Sequence, residues 1–323
     1  MDRSVTQAAS VSEARTKLLR ALKALYVIAV VVAMAWGLAR MDVLGDGRLL
    51  GVLLLPQSFG FVIAWCGMVI LLGALWRLWL DWRYGVRLPA SEWMPAQVLA
   101  WAGRYLPGKF GLLLGKLVIA RREHLSWREV GASVLVEQLA YVSSGIVVGI
   151  ALLPEAAVGS LTSLPPLIAY HWDMLRILLV AVVAAAFPVS VRVIDHMHRP
   201  AGSKVKPAAG LISTLGLLAL YVLPHVLIGS AFWLILCEIS DLPVPIGQAV
   251  AVLALAHVAG ILALFAPAGI GVREAVIAGG LAGLISFPQA LLLAVALRLL
   301  TLLGDGGLLL LALASRGRRN EAG

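Results

Sequence analysis

Long runs of apolar residues dominate this sequence, and they limit the folds that the chain can adopt. Several runs approach or exceed the roughly 20 residues that an α-helix needs to cross a bilayer. Hydrophobic residues make up 61% of the 323 residues and charged residues only 13%, about half the charged share of a soluble domain. In hydrocarbon every backbone amide and carbonyl needs an internal partner, which a helix provides. The sequence therefore predicts an all-α polytopic membrane protein.

Six of the apolar runs are predicted to cross the membrane completely. They cover residues 22–39, 53–76, 129–152, 174–191, 211–236 and 288–313. The first run has a long charged lead and a polytopic chain follows it, so we interpret it as an uncleaved span rather than a signal peptide. The predicted organisation is a basic N-terminal segment (1–21), one membrane domain (22–313) and a basic tail (314–323).

The placement of basic residues predicts the orientation of the chain. Of the 26 Lys and Arg residues, 18 lie in loops on the side that both termini share, and 2 lie in loops on the other side. The positive-inside rule therefore places both termini in the cytoplasm. The net charge of +9 arises from these short loops, which favours anionic lipid rather than nucleic acid as the partner.

The first of two broken hydrophobic segments covers residues 91–121. It contains the stretch Arg104-Tyr-Leu-Pro-Gly-Lys109, in which Pro107 and Gly108 interrupt the apolar pattern. Broken backbone survives at membrane depth only where protein or a wet cavity surrounds it. Each arm has about a dozen residues, too few to cross a bilayer alone. We therefore predict a re-entrant helical hairpin.

The second broken segment contains Pro267-Ala-Gly-Ile-Gly-Val-Arg-Glu274, with breaks at Pro267, Gly269 and Gly271. Its arms, 248–266 and 271–285, have 19 and 15 residues. They form either a second re-entrant hairpin or two further spans, which would give eight spans in all.

The two broken segments occupy matching places in two similar units. The units cover approximately 53–152 and 210–313 and run in opposite directions through the predicted membrane. Pro107 precedes Glu137 by 30 positions, and Pro267 precedes Arg298 by 31. This pattern predicts an inverted repeat, an architecture that places a binding site near the midplane where the repeats meet.

Two predicted spans carry a polar face at helical spacing. The faces consist of Ser133, Glu137, Tyr141 and Ser144 in one span and of Arg298, Thr301 and Asp305 in the other. Glu137 and Arg298 hold equivalent places in the two units. Two interpretations stay open: both line or gate a polar path between the hairpin tips, or they form a structural ion pair that fixes helix packing.

Cationic side chains at the hairpin tips are candidates for holding an anionic group. Helix N-termini at the breaks add free amides to Arg104, Lys109 and Arg273, although Arg104 and Lys109 alternatively extend to the cytoplasmic interface. Glu274 neutralises either Arg273 or Arg298. The complete predicted substrate-binding set is Arg104, Lys109, Glu137, Tyr141, Arg273, Glu274, Arg298 and Asp305.

Other polar and aromatic residues give weaker signals. Trp93 and Trp101 are predicted to be interfacial anchors. His225 and His257 lie in apolar runs, where a packing role with one hydrogen bond is the simplest interpretation. Neither a metal site nor a cofactor is predicted, and because phosphate-binding and zinc-protease motifs are missing, we expect no enzymatic activity.

The stretch from Arg104 to Lys109, the stretch Gly269-Ile-Gly-Val-Arg-Glu274, Glu137 and Arg298 together resemble a known family. The chain is similar to the lysylphosphatidylglycerol synthase transmembrane-domain family, also called flippase-like proteins, over roughly residues 20–313. In multidomain members this membrane domain is joined to a soluble aminoacyl transferase, which the sequence ending at Gly323 does not contain.

The resemblance implies a multi-pass lipid flippase of the bacterial inner membrane that moves an anionic or modified phospholipid or glycolipid between leaflets. The first alternative is a membrane subunit that serves a separately encoded lipid-modifying synthase. The second is a membrane transferase of lipids or sugars. The resemblance predicts neither the lipid nor the oligomeric state.

Overall fold

The computed structural model describes residues 47–105, 113, 115–117, 125–155, 170–198, 210–263, 266 and 269–320, with side chains up to residue 314. Within these ranges the chain is all-α and contains ten α-helices. In chain order they are α1 (Arg48–Leu53), α2 (Pro56–Tyr84), α3 (Ala90–Ala102), α4 (Trp127–Leu152), α5 (Trp172–His198), α6 (Leu211–Leu220), α7 (Val222–Ile239), α8 (Ile246–Leu262), α9 (Val272–Gly280) and α10 (Phe287–Asn320).

Five helical segments are long and apolar enough to cross a membrane, so the chain is a multi-pass membrane protein by helix length and hydropathy. They are α2, α4, α5, the consecutive pair α6–α7 and α10. These segments confirm five of the six predicted spans, with the fifth span divided at Tyr221. The predicted span 22–39 and the basic segment before it lie outside the described residues.

Local sequence explains where two of these helices begin and end. The Ser126 hydroxyl accepts a hydrogen bond from the Glu129 amide (3.2 Å), and the Glu129 carboxylate accepts one from the Ser126 amide (2.7 Å). This reciprocal capping box fixes the start of α4. Helix α2 continues past the predicted end at residue 76, through an aromatic and basic stretch, and stops at Gly85 with φ 71°.

The described part of the first predicted hairpin reverses the chain direction. Helix α3 ends at Ala102 and is followed by a 3-10 turn, Gly103–Tyr105. Residues 115–117 are helical again, and a methyl group on Gly115 would lie 2.3 Å from the Ala100 amide nitrogen. The chain therefore returns along α3, as a re-entrant hairpin requires. The predicted break at Pro107 and Gly108, together with Lys109, lies outside the described residues.

The second broken segment consists of α8 and α9. Helix α9 has 9 residues and is about 13.5 Å long at 1.5 Å per residue, less than half of the roughly 30 Å hydrocarbon thickness. It is shorter than the predicted arm 271–285 because a turn with a bridge between Ala282 and Ile285 follows it. These lengths favour a hairpin over two further spans.

Glycine permits the close approach of the two arms of this segment. Gly269 and Gly271 have φ values of 71° and 85°, a left-handed conformation that glycine adopts without a steric penalty. A methyl group on Gly269 would lie 2.6 Å from the Gly260 Cα atom. Pro267, the third predicted break, lies outside the described residues.

The helices pack around a core that includes Phe61, Trp65, Phe232 and Leu293. Helix α2 contacts α3, α7 and α10, and helix α8 contacts α4, α7 and α9. Helix α5 lies at the edge of this bundle, since only 17% of its apolar window is buried, against 39–56% for the other four segments. The two short helices of the second broken segment are thus held among the long ones.

Candidate functional site

Asp305 forms the centre of a buried polar network on α10. Its carboxylate accepts hydrogen bonds from the indole nitrogens of Trp65 (2.9 Å) and Trp101 (3.1 Å). It also accepts from the Arg104 guanidinium and the Tyr105 hydroxyl. Because these donors belong to α2, to α3 and to the 3-10 turn after it, one carboxylate joins three parts of the bundle.

The Arg104 guanidinium lies among aromatic rings rather than extending to the membrane surface. Its central carbon lies 4.5 Å from the Trp101 ring centroid and 5.0 Å from those of Trp65 and Tyr105. Cation–π contacts and the ion pair with Asp305 compensate its removal from water. The Arg104 side chain therefore lies inside the bundle rather than extending to the cytoplasmic interface, and its role in binding stays a prediction.

Arg273 approaches the same tryptophan from the second broken segment. Its guanidinium carbon lies 5.9 Å from the Trp65 ring centroid. Its Nη2 atom lies 3.0 Å from Nε2 of His257 on α8, and His257 Nδ1 lies 3.4 Å from the Tyr141 hydroxyl on α4. Arg104 and Arg273, one from each broken segment, therefore meet at one aromatic side chain.

Glu274 and Arg298 complete this group of charges. The Glu274 carboxylate accepts a hydrogen bond from the Gly271 amide (2.7 Å) at the start of α9. Arg298 interacts electrostatically with Glu274, Arg104 and Asp305, and Arg273 interacts with Arg298 and Arg104. We call Arg104, Arg273, Arg298, Glu274 and Asp305 the arginine cluster. It consists of three arginines and two carboxylates.

Glu137 forms its ion pair with Lys116, which argues against the alternative interpretation in which Glu137 pairs with Arg298. Lys116 comes from the returning arm of the first broken segment, and its ammonium lies 4.2 Å above the Trp76 ring centroid. Both side chains are almost completely buried, with 2% and 5% of their surface exposed. Glu137 and Arg298 are thus matched in sequence position but have different partners.

A small cavity adjoins this second ion pair. Its volume is about 10 Å³, which suits a single water molecule. Lys116, Glu137 and Trp101 line it together with Gln97, whose buried side-chain oxygen has no hydrogen-bond partner among the described residues. Since Trp101 also donates to Asp305, it links the Glu137 pair to the arginine cluster.

Burial shows that the polar face of α4 points into the bundle, and so do Thr301 and Asp305 of the face on α10, whereas Arg298 is half-buried. Ser133, Glu137, Tyr141 and Ser144 are all buried, as are Thr301 and Asp305. Ser133 accepts a hydrogen bond from the Trp76 indole (3.0 Å), and Ser144 donates to the Tyr221 carbonyl (3.0 Å). The polar faces therefore mark the inner surfaces of α4 and α10.

Several contributors were missed or misplaced by sequence reasoning. No role was predicted for Trp65. Trp101 was predicted to be an interfacial anchor, but its indole nitrogen donates a hydrogen bond to Asp305. Trp93 is also not an anchor, since it is buried in a second apolar cluster with Trp76. His257 has the hydrogen bonds expected of a packed histidine, but one of its partners is Arg273.

Comparison with known proteins does not assign the chain to a family. A scan against protein-family models finds no match, and no curated protein matches the chain significantly. The resemblance to the flippase-like family therefore stays a prediction. Among the side chains that the structure describes, no group of three or more His, Cys, Asp or Glu residues is arranged to hold a metal ion.

Proposed function

We propose that this chain is a membrane transporter that moves an anionic lipid between leaflets. The observation that carries the proposal is the arginine cluster, which lies within a bundle of apolar, membrane-length helices. A charged side chain costs about 2.5–3.5 kcal/mol at the centre of a bilayer, and such groups usually mark a substrate pathway. The three guanidinium groups of the cluster suit a lipid phosphate, because arginine binds phosphate through paired N–H groups.

The depth of the cluster supports this proposal. Arg298 lies close to the middle of the span Phe287–Ala314, and Asp305 lies two turns further along the same face. Arg273 belongs to the first turn of α9, whose N-terminal amides add partial positive charge. A headgroup held by these groups would sit within the membrane rather than at its surface.

Helix contacts also support the finer prediction of an inverted repeat. We equate α2, α3 and α4 with α7, α8 and α10. Most contacts then have a counterpart: α2 with α3 matches α7 with α8, α3 with α10 matches α8 with α4, and α2 with α10 matches α7 with α4. The small contact of α2 with α4 has no match of similar extent between α7 and α10 in the described residues. The contact between α2 and α7 maps onto itself. Such symmetry would let one repeat move against the other around a central site.

The charges of the two repeats are arranged in opposite order. In the first repeat, Lys116 on the returning arm pairs with Glu137 on α4. In the second, Glu274 on the returning arm interacts electrostatically with Arg298 on α10. Corresponding elements of the two repeats therefore carry an acid and a base with reversed signs. We propose that these two interactions weaken alternately as the site is exposed to each leaflet.

The test is lipid exchange in vesicles that contain the purified protein. Phosphatidylcholine vesicles carry a trace of phosphatidylglycerol with a fluorescent acyl chain, and dithionite quenches only the label in the outer leaflet. If the protein moves the lipid, dithionite eventually quenches the inner-leaflet label as well. The wild type should accelerate this second phase, and fluorescent phosphatidylcholine should move more slowly.

Single arginine variants connect this activity to the cluster. Arg273→Gln removes the proposed charge-assisted hydrogen bond to the lipid phosphate. Such a bond is worth about 1.5–3 kcal/mol, so lipid exchange should slow at least about tenfold. The matched control is Arg176→Gln on α5, because Arg176 pairs with the exposed Asp173 (2.9 Å), away from the cluster. Its exchange rate should equal that of the wild type.

The outcome also separates this proposal from its alternative. Exchange no faster than in protein-free vesicles would refute transport by the chain alone. If exchange then appeared only after a separately encoded lipid-modifying enzyme was added, the partner-dependent subunit would be the better account. The proposal assigns no catalytic step to the chain.

A further inference from the structure

His257 lies between the arginine cluster and the polar face of α4. It is 5% exposed, and each of its ring nitrogens contacts a different helix. Nε2 lies 3.0 Å from Nη2 of Arg273, and Nδ1 lies 3.4 Å from the Tyr141 hydroxyl. Its ring also lies 5.7 Å from that of Trp65, centroid to centroid. A titratable side chain is therefore in direct contact with a candidate lipid-binding arginine.

The chemistry of arginine determines the protonation state of this histidine. A guanidinium only donates hydrogen bonds, so Nε2 of His257 must accept and carry no proton. The neutral ring then holds its proton on Nδ1 and donates it toward Tyr141, whose hydroxyl in turn lies 3.9 Å from the Met68 sulfur as a donor. The observed contacts thus require neutral His257.

A single proton is enough to break the hydrogen bond between Arg273 and His257. A proton that binds the Nε2 lone pair turns the acceptor into a donor and gives the ring a positive charge. Arg273 and His257 then present two N–H groups and two like charges to each other. Their contact cannot persist, and the Arg273 guanidinium becomes available to another acceptor.

We propose that proton uptake by His257 is coupled to binding of the anionic headgroup at Arg273, so that proton and lipid cross together. This inference rests on the proposed transport function. The proton comes from the aqueous phase on the side where lipid enters and leaves Nε2 when the lipid is released. Arg273 then returns to its contact with neutral His257.

The surrounding charges give the coupling its sign. In the described part of the chain, the titratable and charged groups that face His257 are Arg273 on α9, Tyr141 on α4, His225 on α7 and Arg104 in the turn after α3. The positive charges of the two arginines disfavour protonation of His257. A lipid phosphate bound beside them reduces this repulsion and so favours protonation. Each ligand therefore strengthens the binding of the other, because such coupling is reciprocal.

The pH dependence of exchange tests this inference in the phosphatidylglycerol vesicles described above. The wild type should exchange the lipid at least about fivefold faster at pH 5.5 than at pH 7.5, because the fraction of His257 that carries a proton rises as the pH falls. His257→Gln keeps an acceptor for Arg273 but takes no proton, so its ratio should be close to one. The matched control is His225→Gln, because His225 contacts the Tyr141 carbonyl (3.0 Å) and should leave the acid stimulation intact.

Proton movement gives a second readout that needs no variant. A pH-sensitive dye trapped in the vesicles should report acidification when phosphatidylglycerol is delivered to the outer leaflet of wild-type vesicles. Wild-type exchange that is equal at both pH values, or acid stimulation that persists in His257→Gln, would overturn the coupling while leaving transport in place. Exchange that is absent at both pH values would overturn transport itself, and the coupling with it.

Discussion

Replacing Asp305 by Asn should lower the free energy of unfolding more than a similar Asp-to-Asn change on the protein surface. The carboxylate accepts from four donors, including the Arg104 guanidinium, whose side chain is only 15% exposed. Asparagine keeps the shape but removes the negative charge and turns one oxygen into a donor. Breaking a buried ion pair by removing one partner costs about 3–5 kcal/mol, because the other charge stays buried and unpaired. We expect a loss of that size in the free energy of unfolding.

A double-mutant cycle separates the ion pair from general damage to the site. Arg104→Gln combined with Asp305→Asn removes both charges, so the double variant should be more stable than the sum of the single effects predicts. Unfolding in mixed micelles with increasing sodium dodecyl sulfate, followed by circular dichroism, gives the four free energies. Asp173→Asn, at an exposed pair with Arg176, is the control and should show no measurable change. A loss below about 1 kcal/mol for Asp305→Asn, or strict additivity, would refute a buried ion pair at this position.

Three further predictions concern stability in the same unfolding assay. Lys116→Met and Glu137→Met should each cost about 3–5 kcal/mol, whereas the double variant should lie close to the wild type; equally large losses in all three would contradict the pair seen here. Gly269→Ala should cost about 1–3 kcal/mol more than Gly283→Ala, since both have positive φ but only Gly269 has backbone within 3 Å of the added methyl. Equal costs would mean that the approach of Gly269 to Gly260 is looser than described. Ser126→Ala should cost about 1 kcal/mol by removing the capping box of α4, and an unchanged unfolding free energy would show that the cap is unimportant.

The spans were predictable because the length and hydropathy of an apolar run identify a membrane-crossing helix whichever helix it packs against. Residues 129–152 and the helix Trp127–Leu152 differ by only two positions at one end. The ends of the helices were less predictable. Tyr84 ends α2 well beyond residue 76, because helical hydrogen bonding continues where the apolar composition stops.

The inward direction of two polar faces was also predictable. A carboxylate on an apolar helix is costly against lipid and finds partners only inside the bundle, so Glu137 and Asp305 identify the buried side of their helices. The partners of these residues were not predictable in the same way. Lys116 meets Glu137 because the chain reverses after α3, and the geometry of that reversal is not encoded in helical spacing.

The aromatic contributors had no readable signal in the sequence. Trp65 lies in a helix that is apolar on every side, so periodicity gives no preferred face. Its role depends on α10 bringing Asp305 within 2.9 Å of its indole nitrogen. Likewise, His257 resembles any packed histidine until α9 brings Arg273 to its ring. Such contacts between distant segments need the tertiary structure.

The central claim is that a lipid headgroup binds at the arginine cluster inside the membrane. Photo-crosslinking with a phosphatidylglycerol analogue that carries a diazirine on its headgroup tests this most directly. The label should be found on peptides from Val272–Gly280 and Phe287–Ala314, and Arg273→Gln with Arg298→Gln should abolish it. Labelling confined to the basic loops outside the spans, or unchanged in the double variant, would contradict the claim.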